Sequence, residues 1–298
     1  MLIIEFNKNI LNGGFGDRIV GLISLKTVST FLNTDFYIKW DKENITNVVD
    51  YSKYDYYNIS KGANNNISKG ANNITNTKKH DIMTPKIDML KEWRDSNYFN
   101  NNLILNLNYD ISHIFLKENN YKLMIEEYEK LYTDIFTIKN DIMNIINDIT
   151  KDKCIIGIQL RAGDHWINAG EVVGNHYTDM NKIYKVLENI YLSAKSDYYF
   201  YLSSDIDLKE FGEKIFGDKL LYCDIKPTHL DRKPDENSMK KIIIDNYILS
   251  QKTETIYISE YSNFGKVAVL SGNHKNIYNT KLEKISKKYV YDRIFRGL

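Results

Sequence analysis

An arginine directly follows an apolar run that is typical of a buried strand. The run is Cys154–Leu160, and Arg161, Ala162, Gly163 and Asp164 come next. Ligands of open α/β sheets bind beyond the carboxyl ends of the strands, which is where this spacing places Arg161. A guanidinium offers a planar fork of donors that suits a phosphate or a carboxylate. The competing interpretation is structural, with Arg161 paired to Asp164 or Asp205 so that it fixes a loop.

A second predicted strand, 198–203, ends in the polar residues Ser203, Ser204 and Asp205. A carboxylate at such a place can accept hydrogen bonds from a ribose hydroxyl or from the N1–H and N2–H groups of guanine. A helix cap explains Asp205 or Asp207 as well, because a helical stretch follows.

The third polar loop follows a predicted strand over 255–259, and it leads into a helix that includes Lys266. Ser262 and Asn263 lie at the start of this helix, where backbone N–H groups favour an anion; an ordinary N-cap is the alternative. The order of the three loops predicts a pocket for a nucleoside diphosphate without a metal ion.

A glycine-rich loop, Gly13-Gly-Phe-Gly-Asp-Arg18, follows the first predicted strand. It lacks the third glycine of a dinucleotide fingerprint, and Asp17 would repel a phosphate at the helix start. One interpretation is a tight turn formed by Gly13, Gly14 and Gly16, with Asp17 capping the helix. The other, which we favour, brings the backbone of Gly14, Phe15 and Gly16 close to an uncharged substrate, with Asp17 or Arg18 facing it.

Composition excludes several classes of protein. The 298 residues carry 40 Lys and Arg against 39 Asp and Glu, a balance that does not favour nucleic acid as a partner. Two cysteines make neither a disulfide framework nor a cysteine zinc site. No apolar run approaches the ~20 residues of a membrane span, and residues 1–6 suit a strand better than a signal peptide. We therefore expect a cytoplasmic protein.

Strands alternate with helices along most of the chain, which predicts parallel α/β architecture. We expect two Rossmann-like domains facing a cleft, an acceptor-side domain over 1–150 and a nucleotide-sugar-binding domain over 151–298. The octapeptide Asn-Ile-Ser-Lys-Gly-Ala-Asn-Asn occurs twice in tandem within 58–73. Two polar copies predict a flexible low-complexity insertion over 58–80 rather than a solenoid.

Three segments, namely the glycine loop, residues 157–164 and residues 245–264, together resemble the fucosyltransferase superfamily of inverting, GDP-fucose-dependent enzymes. This superfamily includes protein O-fucosyltransferases and the α1,2-, α1,6- and xyloglucan fucosyltransferases. The glycine loop resembles the amino-terminal motif of that family. Residues 157–164 resemble its H-x-R-x-G-D stretch, and residues 245–264 resemble its third motif. The resemblance implies a GT-B fold, GDP-fucose as the donor substrate with no further cofactor, and a glycan or protein acceptor.

The resemblance also implies roles for individual residues. Arg161 matches the arginine that contacts the donor diphosphate, and Asp205 and Asp245 fall where family members contact the nucleoside. Ser262, Asn263 and Phe264 match phosphate contacts. The remaining donor-side residues are those of the two glycine-bearing motifs: Gly14, Phe15, Gly16, Arg18, Gln159, Gly163 and Asp164. Gln159 replaces the usual histidine, and Asp17 stands where several relatives carry an asparagine.

In such a reaction an acceptor hydroxyl attacks the anomeric carbon while charge accumulates on the departing diphosphate, which Arg161 and a helix start would stabilise. Asp17 is the first candidate for the base and Asp164 the second, and the leaving diphosphate itself is a third acceptor for the proton. Alternatives are a transferase of the same fold that uses another nucleotide sugar, or an inactive nucleotide-sugar-binding protein. A P-loop nucleotidase ranks low because no Walker sequence exists.

Overall fold

The computed structural model describes nine stretches of the chain: 1–6, 13–41, 45–58, 77–82, 87–116, 120–162, 180–194, 197–227 and 237–295. The tandem octapeptide, apart from its first residue, lies outside these stretches. Gly163 and Asp164 also lie outside them. The chain divides into two compact units, Met1–Lys139 and Asn140–Arg296.

The first unit is built on a four-stranded parallel sheet. The six strands described in this unit are β1 (Leu2–Phe6), β2 (Phe36–Trp40), β3 (Val49–Asp50), β4 (Lys78–Ile82), β5 (Leu103–Leu107) and β6 (Thr137–Ile138). Its helices are α1 (Phe15–Phe31), α2 (Ile87–Asp95), α3 (Ser112–Phe115) and α4 (Asn120–Glu129), with 3-10 turns at Ile45–Asn47 and Tyr98–Asn100 and a π turn at Leu131–Ile135. The sheet order is β2-β1-β5-β4, and β3 pairs with β6 in a separate antiparallel ribbon.

The second unit contains a five-stranded parallel sheet. Its strands are β7 (Cys154–Leu160), β8 (Tyr198–Ser204), β9 (Leu220–Leu221), β10 (Thr255–Ile258) and β11 (Asn276–Asn279). Its helices are α5 (Asn140–Thr150), α6 (Met180–Ser193), α7 (Lys209–Phe216), α8 (Ser238–Gln251), α9 (Asn263–Ser271) and α10 (Lys287–Phe295), with a 3-10 turn at Gly217–Lys219. The sheet order is β11-β10-β7-β8-β9, which makes β7 the central strand.

This order creates a topological switch point between β7 and β10. From β7 the chain proceeds to β8 and β9 on one side, and it then returns to β10 and β11 on the other side. Loops that follow the two strands flanking a switch point leave the sheet on opposite faces, so a crevice opens between them. The loop after β7 begins with Arg161, and the loop after β10 is 259–262.

The two faces of this sheet differ in chemistry because side chains alternate along each strand. On one face, Ile156, Ile158 and Leu160 pack against α6, whose Ile183 and Leu187 follow the helical spacing. On the other face, Gly157 leaves space that the side chains of the α8 end fill. Gln159, Tyr201 and Ser203 continue this second face toward the carboxyl end of the sheet, where a polar cluster replaces the apolar core.

The expected α/β class with parallel sheets is confirmed, while several element bounds differ from the sequence predictions. Helix α1 begins at Phe15, so Asp17 lies inside its first turn instead of opening it. Strand β4 begins at Lys78 and thus includes the last residues of the insertion expected over 58–80. Helix α5 belongs to the second unit, where it packs against α8, although we expected the boundary between domains near residue 150.

A buried carboxylate joins α1 to α3 in the first unit. Asp110 Oδ1 accepts hydrogen bonds from the Ser24 hydroxyl and from the Ser112 N–H, both at 2.7 Å. Burial raises the pKa of Asp110 above its ordinary value, although these hydrogen bonds act in the opposite direction. The folded state therefore binds the proton more tightly than the unfolded state does.

Asp110→Asn should accordingly change how stability depends on pH. With a raised pKa in the folded state, the contribution of Asp110 to stability is present below its unfolded pKa of about 4 and is lost as pH rises. The free energy of unfolding of the variant, relative to the unchanged protein, should therefore increase from about pH 4 to about pH 8. Urea titrations across this range measure it. Asp88→Asn is the control, because that side chain is fully exposed; parallel pH profiles of Asp110→Asn and the unchanged protein would contradict the expectation.

Candidate anion-binding site

Arg161 lies at the carboxyl end of the central strand β7, and both neighbouring strands fix it. On the β10 side its backbone N–H donates to Ser259 Oγ at 2.9 Å. On the β8 side its Nε forms an ion pair with Asp205 Oδ2 at 3.0 Å. Within the part of the chain that the structure describes, no hydrogen bond engages the two terminal guanidinium nitrogens of Arg161. Its side chain is 31% exposed, so part of it is open to solvent.

The Asp205 carboxylate binds the Arg161 turn with both of its oxygens. While Oδ2 pairs with the guanidinium, Oδ1 accepts the backbone N–H of Ala162 at 2.7 Å. This arrangement joins the ends of β7 and β8 and sets the direction of the arginine side chain. The structural interpretation of an Arg161–Asp205 pair is therefore correct. It remains compatible with ligand binding because no described residue forms a hydrogen bond with the terminal nitrogens of Arg161.

Gln159 connects the end of β7 to the start of α9. Its Nε2 donates to Ser262 Oγ at 3.1 Å, and its Oε1 accepts the Ser259 N–H at 3.3 Å. The Gln159 side chain is buried, so its amide acts inside the protein and fixes the turn over 259–262.

Helix α9 begins beside this turn without a side-chain cap. Ser262 is the N-cap residue, but its hydroxyl bonds to Gln159 and makes no capping hydrogen bond. Backbone N–H groups in a first helical turn form an anion site. Asn263 and Phe264, which sequence analysis assigned to phosphate contacts, are the first two residues of this helix and are half-buried.

Asp245 belongs to a buried polar cluster on α8. Its carboxylate accepts hydrogen bonds from the Tyr201 hydroxyl at 2.6 Å, the Ser203 hydroxyl at 2.7 Å and Lys241 Nζ at 2.8 Å. Burial and the nearby Asp245 carboxylate raise the pKa of Tyr201 well above its ordinary value, so the phenol stays protonated and donates. Asp245 was predicted as a site residue, but its three partners were not. Only the spacing of Lys241 and Asp245, one helical turn apart, signalled the ion pair.

The glycine loop of the first unit leads into a capped helix. Gly14 is the N-cap of α1, and Asp17 Oδ2 accepts the Gly14 N–H at 3.0 Å. Gly13 has a φ of +70°, and a Cβ there would lie 2.7 Å from Asp17 Oδ2, so glycine is required. Arg18 is fully buried, and its Nε donates to the Gly13 carbonyl. Asp17 is half-buried; Phe15 and Gly16 are buried.

Two features are absent from the described ranges. These ranges contain no group of three or more His, Cys, Asp or Glu side chains that could hold a metal ion. None of their helices is both long enough and apolar enough to cross a membrane.

The fold is of the kind found in glycosyltransferases of the GT-B type, and solved fucosyltransferases share it. No protein-family model and no curated protein matches the sequence. Among solved structures, the R284K mutant of Arabidopsis thaliana FUT1 in complex with GDP matches with a TM-score of 0.58 and 13% identity, over 93% of this chain and 69% of that one.

NodZ α-1,6-fucosyltransferase matches as well. Its crystals grown with GDP give a TM-score of 0.52 at 13% identity, and its crystals soaked with GDP-fucose give 0.50 at 12% identity. Each covers 93% of both chains. At such low identity the likeness concerns the fold, and at that level the resemblance to the fucosyltransferase superfamily and the expected GT-B-like fold are confirmed.

Gly265→Ala tests whether Gln159 must reach the start of α9. A Cβ at position 265 would lie 2.5 Å from Gln159 Oε1, so the amide has to move away from Ser262. We expect the free energy of unfolding to fall by about 1–3 kcal/mol, although alanine is otherwise the better helix former. Urea unfolding of Gly265→Ala, Gln159→Ala and the double variant measures the coupling. The alanine should cost much less once Gln159 is shortened; two additive losses would contradict this account.

Proposed function

We propose that this protein is a glycosyltransferase that transfers fucose from GDP-fucose to a hydroxyl of a glycan or protein, with inversion and without a metal ion. The observation that carries the proposal is the Arg161 guanidinium, which pairs with Asp205 through Nε at a topological switch point and beside the start of α9. The solved fucosyltransferases of the same fold, with GDP or GDP-fucose in their crystals, support it.

In this proposal the second unit binds the donor diphosphate. The terminal nitrogens of Arg161 and the backbone N–H groups at the start of α9 both favour negative charge. As the bond between the anomeric carbon and the diphosphate oxygen breaks, charge increases on that oxygen. Donors that are already fixed by Asp205, Ser259 and Gln159 need no reorganisation, so they stabilise the transition state more than the ground state.

The acceptor hydroxyl attacks the anomeric carbon from the opposite side and loses its proton. We assign the base to Asp17, whose carboxylate is half-buried at the first turn of α1. Asp164 is the second candidate and lies outside the described residues. Assignment of the remaining glycine-loop residues to substrate binding, the 1–150 and 151–298 division of roles, and a cytoplasmic location also stay predictions.

A transferase of the same fold that uses another nucleotide sugar is the second candidate. The internal bonding of Asp245 favours it, because this carboxylate is already saturated by Tyr201, Ser203 and Lys241 and so is not presented to guanine. Calorimetric titration with GDP, UDP and ADP distinguishes the two candidates. Tightest binding of GDP supports the fucosyltransferase, and tightest binding of another diphosphate supports the second candidate.

Replacement of Arg161 should abolish most of the activity and leave the fold intact. Arg161→Ala removes a preorganised donor, which typically costs ~10²–10³ in rate. Arg161→Lys should recover little, because lysine keeps the charge and loses the planar fork. Fucose transfer from GDP-fucose to a panel of glycan and peptide acceptors measures the rate, and circular dichroism checks the fold.

Lys275→Ala is the matched control for Arg161→Ala, since it removes one positive charge from an exposed pair with Glu254 in the same unit. It should transfer fucose at the unchanged rate. Normal turnover by well-folded Arg161→Ala would refute the assignment of the anion site.

Transfer should persist in excess EDTA. Asp205 and Asp207 have the spacing of a metal motif, but Asp205 bonds to Arg161 and Ala162, and Asp207 Oδ1 accepts the Lys209 N–H at 3.0 Å. These carboxylates are thus already engaged by the protein. The initial rate is measured with EDTA and then after addition of magnesium or manganese. Loss of activity on chelation with recovery on metal addition would instead make the two aspartates metal ligands.

A further inference from the structure

The buried cluster around Asp245 connects α8 to the strand that carries Asp205. Lys241 and Asp245 have side-chain exposures of 3% and 4%, so their ion pair is almost entirely removed from solvent. Lys241 Nζ also lies 4.9 Å from the centre of the Tyr222 ring. The Asp245 carboxylate accepts a hydrogen bond from Ser203, which lies near the carboxyl end of β8, two residues before Asp205.

The next residue of α8 reaches the other half of the anion site. Asn246 is fully buried, and its Nδ2 donates to the carbonyl of Phe264 in the first turn of α9 at 3.2 Å. Adjacent residues of one helix therefore bind the β8 end and the α9 start. The β8 end carries the Asp205 carboxylate that orients Arg161, and the α9 start carries the backbone N–H groups.

We propose that Asp245, paired with Lys241, is a positioning residue that fixes the β8 end and thereby orients Arg161 through Asp205, and that it does not read the nucleoside base. Each oxygen of its carboxylate already accepts two hydrogen bonds from protein groups. A carboxylate that received the donors of a base would have to give up bonds to Lys241 or Ser203, and leaving a buried lysine unpaired is costly.

The inference rests on the proposed function only where it concerns nucleotide binding, and one measurement is independent of that function. Arg161 is one of six arginines in the chain, so its Nε–H signal can be assigned in a ¹⁵N spectrum by comparison with Arg161→Lys. The rate of hydrogen exchange at this N–H reports how closely Arg161 stays paired with Asp205, without any nucleotide.

The test compares Asp245→Asn and Ser203→Ala with the unchanged protein. Both variants weaken the connection between α8 and β8, so Arg161 Nε–H should exchange faster, on the order of tenfold in Asp245→Asn. Affinities for GDP, UDP and ADP should all fall by a similar factor, which leaves their ratios unchanged. Ser203→Thr keeps the hydroxyl and should restore the exchange rate and the affinities.

Glu5→Gln is the control for loss of a buried ion pair. Glu5 is fully buried on β1, where it pairs with Lys39 and Lys79 in the first unit. This variant should lower the melting temperature and leave the Arg161 exchange rate unchanged.

The outcomes separate the inference from the proposed function. A selective loss of GDP affinity in Asp245→Asn, with constant affinity for UDP and ADP, would make Asp245 a base-reading residue and overturn the inference. Unchanged exchange at Arg161 in both variants would overturn it too. If Asp245→Asn fails to fold, the comparison of Ser203→Ala with Ser203→Thr decides whether the inference holds. If the unchanged protein binds none of the three diphosphates, the proposed function fails, while the exchange measurement still decides the positioning role.

Discussion

The bonding of one carboxylate, Asp205, determines the geometry of the candidate site. One of its oxygens pairs with the Nε of Arg161, and the other accepts the N–H of Ala162. The chain therefore turns at the end of β7 with the guanidinium in a fixed direction. A fork of donors binds a phosphate well only when its plane is set beforehand, since ordering a long side chain costs conformational entropy. The ion pair therefore contributes orientation, and the terminal nitrogens, which form no hydrogen bond with the described residues, retain the donors that a ligand requires.

Two pairs of polar residues lie on the same side of the sheet and have different roles. Gln159 and Ser262 are neutral, and their bond links a strand to a helix start without altering its charge. Lys241 and Asp245 are charged and buried, and their mutual pairing cancels both charges. The donors for an anion at the carboxyl edge of β7 are thus the Arg161 guanidinium and the first turn of α9, while the cluster around Lys241 and Asp245 adds no net charge.

Continuous apolar runs made the central strands predictable from sequence. Strands β7, β8 and β10 are buried on both faces, so they appear as apolar segments with polar residues at their ends. Strand β5 was not predicted although it is apolar and lies between β1 and β4. The edge strands β4 and β11 were not predicted because residues such as Lys78 and Asn276 interrupt the apolar pattern. Arg161, Asp205 and Ser262 could be placed by position in the strand order. The partners of Asp245 could not, because no local pattern specifies which face of α8 meets the end of β8.

The bond between Gln159 and Ser262 spans 103 positions of the chain, and that between Arg161 and Ser259 spans 98. Contacts so distant in sequence form slowly, because a long loop must close before any bond compensates for its lost entropy. During synthesis from the amino terminus, β7 and β8 leave the ribosome long before β10. The nascent chain can pair Arg161 with Asp205 early, yet it cannot complete the crevice until β10 inserts beside β7. The order of strands therefore makes assembly of the site a late event in the folding of the second unit.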